Sequence, residues 1–123
     1  MPTAQSVTKT EIVETSCKKI IWEWTCTDAG VVTSQTSGVF DGKIIGLTTI
    51  PAAAPDNPTD NYDVTITDLQ GHDVLLGAGA DRGTANIEHV AETSLSGVAG
   101  SKLTLNIANA GNAKKGTIIL WIR

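Results

Sequence analysis

The chain reads as a single all-β domain, an antiparallel two-sheet sandwich or jelly roll of about eight short strands. Three observations predict it. Valine, isoleucine and threonine together make up 38 of the 123 residues, and β-branched side chains suit a pleated, half-buried surface while disfavouring long helices. Apolar and polar residues alternate with a period of two through residues 19–27, 62–68 and 102–108, as in a strand with one face buried. Gly, Asp, Asn and Pro punctuate the chain at hairpin-like intervals with no capped helical segment between them, which favours two packed antiparallel sheets. A chain of this length is one domain's worth, and folding hides roughly two-thirds of its unfolded surface, enough for one core.

Residues 1–6 have little to bury and read as a flexible arm; 1–17 as a whole read as N-terminal arm and lead-in, leaving 18–123 as the folded domain. From Lys19, Ile20, Trp22, Trp24 and Cys26 share one face, while Ile21, Glu23, Thr25 and Thr27 share the other. Asp28-Ala29-Gly30 turns the chain, and Val31 to Phe40 reads as a weaker strand folded back on the first. Asp41-Gly42 is a two-residue hairpin signal leading into a strand from Lys43 to Ile50. Pro51, Pro55 and Pro58 remove ladder donors and make that stretch a loop.

Tyr62 to Asp68 alternates cleanly, with Tyr62, Val64 and Ile66 directed inward, and Asp73 to Leu76 is expected as its short partner strand. Residues 77–83 read as a loop, 85–92 fit either a strand or one helical turn, and 94–101 read as a loop. Lys102 to Ala108 places Leu103, Leu105 and Ile107 inward, and Asn109 to Ala113 turns the chain into a last strand, 116–123. That strand carries Ile118, Leu120 and Ile122 on one face and Ile119 and Trp121 on the other. A strand apolar on both faces either lies centrally between two layers or sits against another chain.

Charge and chemistry narrow the function classes. A net charge of −4 and a pI near 4.9 argue against a partner bound through phosphates. The first residues lack the apolar stretch of a secretory signal. Cys17 and Cys26 flank one continuous strand, and nine steps at about 3.3 Å each put their sulfurs out of disulfide reach, so both are expected as free thiols from a reducing cytoplasm.

His72 and His89 fall in different elements with no nucleophile signature beside them, so no catalytic residue is assigned. Gly77, Gly79 and Gly83 lack the strand–loop–helix setting of a phosphate loop, and no cofactor is assigned. Asp56, Asp60, Asp63, Asp68 and Asp73 scatter around one strand without calcium-loop spacing, and no metal is assigned. Lys18-Lys19 and Lys114-Lys115 read as charges that block edge-to-edge strand pairing. Trp22, Trp24, Trp121 and Ile119 are the candidate interaction residues, because tryptophan anchors commonly dominate interfaces. Trp22, Trp24 and Trp121 would also make a sugar-stacking platform, with Trp22 and Trp24 on one shared face.

The stretch from Tyr62 to Arg82, the segment Leu103 to Gly111, the ending Ile119-Leu120-Trp121-Ile122-Arg123 and the early Ile21-Trp22-Glu23-Trp24 together resemble a group of small tailed-bacteriophage virion proteins. The resemblance covers most of 18–123 and brings no catalytic residues with it. It implies a structural virion component made in the host cytoplasm, a homo-oligomer such as a trimer. The role expected first is capsid decoration, cementing the head by binding between major capsid protein subunits, with no nucleic acid or membrane partner. The alternatives are a collar, head–tail adaptor or tail subunit, and, from a different class, a carbohydrate-binding module.

Overall fold

A computed structural model describes residues 4–84 and 86–123. Residues 1–3 of the expected arm, and Ala85 at the start of the ambiguous segment, lie outside the described residues. The strands are β1 (Ser6–Val13), β2 (Lys18–Thr25), β3 (Val32–Gln35), β4 (Phe40–Pro51), β5 (Asp63–Thr67), β6 (Glu88–Ala91), β7 (Gly97–Ser101), β8 (Thr104–Ala108) and β9 (Lys115–Ile122). All pairings are antiparallel. The larger sheet runs β1-β2-β9-β4-β6, with β7 also on β4, and the smaller runs β3-β8-β5. From β2 onward the chain changes sheet at every connection except β6 to β7. That alternation is the connectivity of a jelly roll, with β1 added beside β2.

The period-two pattern explains the core. Ile20, Trp22 and Trp24 of β2, Ile118, Leu120 and Ile122 of β9, and Ile44 and Leu47 of β4 face Val32, Val64, Ile66, Leu105 and Ile107 of the smaller sheet. Trp22 is fully buried, and Trp24 packs against Tyr62 with ring centroids 5.8 Å apart. Burial pushes the Tyr62 phenol up to about 12.

Five expectations are corrected. Residues 6–13, expected within the arm and lead-in, form β1, joined to β2 by a tight turn in which Glu14 N–H donates to the Cys17 carbonyl at 3.0 Å. Val32–Gln35 does not fold back on β2; it pairs with β8 across the sandwich. Asp41-Gly42 makes no hairpin, because β4 runs straight through it with a register shift. Gly42 serves close approach instead: it has φ 128°, and a Cβ there would meet the Arg123 carbonyl oxygen at 2.0 Å. The expected loop at 94–101 contains β7, while Asp73 makes only an isolated bridge to Thr67.

β1 was hard to read because its inward positions are largely polar, and those side chains do backbone work. β3 is an edge of the smaller sheet. The Gln5 amide accepts from Thr33 N–H at 2.8 Å and donates to Thr33 C=O at 2.6 Å. The Lys9 ammonium donates to the Gln35 carbonyl at 2.5 Å, and Glu11 accepts from Ser37 N–H and Gly38 N–H at 2.9 Å each. Gln5 just before β1, with Lys9 and Glu11 on it, thus satisfies an open edge and closes that side of the sandwich.

Burial alone would raise the Glu11 pKa, but the two backbone donors and the Lys9 ammonium outweigh it and hold the carboxyl below its ordinary 4.5. This stabilisation is present above 4.5 and is lost as pH falls through the lower folded value. In urea denaturation the wild type should therefore lose more stability than Glu11→Gln on acidification through this range. Parallel losses in the two proteins would show that Glu11 carries no such linkage.

Candidate functional site

The outer face of the larger sheet is ordered by its register. Thr10, Ile21, Ile119 and Thr48 pair side by side across β1, β2, β9 and β4, with His89 of β6 beyond. The neighbouring row is Ile12, Lys19, Trp121, Gly46 and Ala91. The row on the other side is Thr8, Glu23, Thr117 and Ile50. One end of the face is therefore apolar around Ile12, Ile21, Ile119 and Trp121, all half-buried. The other end is a hollow of about 340 Å³ lined by Thr8, Glu23, Thr25, Thr117, Lys115 and Ile50 among others.

Trp121 is the fixed point of this face. Its Nε1–H donates to Thr48 Oγ1 at 3.2 Å, and Thr48 Oγ1 lies 2.9 Å from His89 Nδ1. The Lys19 ammonium stands 5.1 Å from the indole centroid, within cation–π range. Gly46 makes the arrangement fit, since a Cβ there would come within 2.7 Å of His89 Cε1 and 3.1 Å of Trp121 Cδ1. An aromatic ring held in place before any partner arrives loses little rotamer entropy on contact.

Of the four residues expected at an interaction surface, Ile119 and Trp121 are on this face, whereas Trp22 and Trp24 are not. Trp22 and Trp24 are at most 2% exposed and belong to the core. Neither can therefore serve in the sugar-stacking platform expected of the three tryptophans. Lys18 and Lys19 do not guard an edge either, because β2 is paired on both sides. Lys18 instead donates to the Asp41 carbonyl at 2.7 Å, and Lys19 covers Trp121. The residues missed were Gly46, Thr48 and His89. The available signal was Gly46 itself, since a glycine inside a β-branched run marks a place where something bulky lies close.

The other candidate groups do structural work. Cys26 is buried, donates to the Gly111 carbonyl at 3.2 Å and accepts from Lys114 N–H at 3.1 Å. Both cysteines are free thiols, with Cys17 half-buried. Asp68 accepts from Gln70 and His72 N–H, Asp63 from Asp81 N–H and Asn109, and Asp60 from Thr84 N–H. Among the described residues, no three His, Cys, Asp or Glu side chains gather as a metal site. No family model, curated protein or solved structure matches this chain.

Proposed function

We propose that the chain is an assembly subunit, a β-sandwich that works by sticking to other protein surfaces rather than by chemistry. Within that class we propose a capsid decoration protein of a tailed-phage particle, binding between major capsid protein subunits. The observation that carries the assembly reading is the outer face of the larger sheet. β9 is central and apolar on both sides, yet Ile119 and Trp121 are covered by no second layer among the described residues. The phage setting rests on the resemblance of 18–123 to small virion proteins. Jelly rolls also serve in capsid architectures, although a fold by itself does not assign a function.

A second surface supports attachment to a shell. Val13, Val39 and Leu69 are 68%, 63% and 61% exposed. They occupy three different connections at the end of the sandwich where β1 and β5 finish and β4 begins. A subunit with a face and an end both apolar can hold two neighbours at once.

Such a clamp binds the closed shell and not dispersed subunits, so mass action makes the shell harder to break. Particles lacking this protein are expected to assemble but to release their genome at lower temperature or under milder osmotic shock. Adding the purified protein back should restore resistance and saturate as sites repeated over the shell fill. Full, stable, tailless heads, or a few copies bound at one vertex, would overturn the decoration reading in favour of a collar or adaptor.

A further inference from the structure

We infer that the outer face of the larger sheet is self-complementary and binds a second copy of this chain through a two-fold axis. The inference rests on that face being an assembly surface and names its occupant. On β2, Lys19 and Glu23 stand two residues to either side of Ile21; on β9, Trp121 and Thr117 stand two residues to either side of Ile119. Two residues of strand are about 7 Å. The row through Ile21 and Ile119 therefore divides the face into a ridge, Trp121 under Lys19, and a hollow of about 340 Å³ beside Glu23 and Thr117.

Consider a two-fold axis lying along that row, between two such faces. It lays β2 antiparallel over β2 and β9 over β9. Ile21 and Ile119 meet their own copies. Each Lys19 faces the Glu23 of the other copy, and each Trp121 ridge faces the other copy's hollow. Both contacts occur twice, as an isologous interface requires. Two sheets stacked in this way keep their strands within about 30° of alignment, as aligned β-sandwiches do.

Neither charge has an ion-pair partner within its own chain among the described residues. Lys115 and Arg123, at the two ends of β9, are exposed and come to the rim, where water and salt screen their repulsion. A patch that complements itself closes as a pair. A trimer would instead need two different complementary patches on each subunit. Pairing through the face leaves the end bearing Val13, Val39 and Leu69 for other partners.

Sedimentation equilibrium of the purified full chain tests the pairing. The wild type should dimerise. Lys19→Glu and Glu23→Lys should each weaken the dimer about tenfold or more by placing like charges opposite one another, and Trp121→Ala should weaken it similarly. The double variant Lys19→Glu/Glu23→Lys should restore most of the wild-type affinity. Thermal melts of the charge variants confirm that each is folded before association is compared. A wild type that stays monomeric, or a double variant no tighter than the singles, would overturn the two-fold pairing. Monomeric protein that still protects particles would leave the assembly reading standing, whereas a dimer without protection would support the pairing and overturn the decoration role.

Discussion

Trp22→Ala should cost about 3–5 kcal/mol of unfolding free energy, the range for deleting a large aromatic from a packed core. Trp22 is fully buried on the inner face of β2, opposite Ile118 of the central strand. Neighbouring core side chains would have to collapse into the space, and a two-sheet core relaxes only partly. With total stability of about 5–15 kcal/mol for a typical domain, such a loss is a large share of the whole. Urea denaturation of Trp22→Ala beside Trp121→Ala gives the contrast that matters. Trp121 is half-buried on the outer face and lies outside the core, so its truncation should cost less in the monomer. Equal losses would mean that the division of tryptophans between core and face is wrong.

Asp73→Ala should be the most damaging change at the aspartates flanking β5, at about 1.5–3 kcal/mol. One carboxylate oxygen of Asp73 accepts from Ile66 N–H at 3.2 Å and Leu75 N–H at 3.0 Å, and the other accepts from Gly77 N–H at 3.0 Å. Here the side chain takes the place that a carbonyl of a neighbouring strand would fill beside β5. Alanine leaves those donors without acceptors, and part of the site is too buried for water to replace them freely. Hydrogen exchange should speed up at Ile66, Leu75 and Gly77 while the β2–β9 ladder stays protected. Unchanged exchange at these amides would refute the role.

These two residues also show what was legible in the sequence. β2, β5, β8 and β9 alternate because one face of each is dry, so Trp22 and its companions could be placed in strands from their spacing. The alternation also groups Trp22 and Trp24 with Ile20 and Cys26, the buried set, but whether a tryptophan serves core or contact is decided by what lies above it. β1 escaped detection because Lys9 and Glu11 point inward toward backbone groups of another strand, a partnership that only tertiary structure creates. β7 escaped because Gly97 and Gly100 give Gly97–Ser101 the composition of a loop. Asp73 looked like part of a strand or an acidic cluster and is instead an acceptor that ends a ladder. Of the candidate site, Ile119 and Trp121 were visible as an excess of apolar residues on β9. Their supports, Gly46, Thr48 and Lys19, depend on cross-strand register, which composition does not carry.

Among the described residues β9 comes after the other eight strands in chain order, yet it lies between β2 and β4 near the middle of the larger sheet. While the chain is being made, β2 and β4 can emerge long before the strand that joins them. Each then offers an unpaired, apolar edge with a vacant slot between them. Pairings this distant in sequence form slowly, because a long loop must close before any contact rewards it. During that interval, the β9 of another copy fits the slot as well as the chain's own. The order of synthesis thus makes strand exchange between copies the characteristic way for this fold to go wrong, and slower translation or a higher density of nascent chains should increase it.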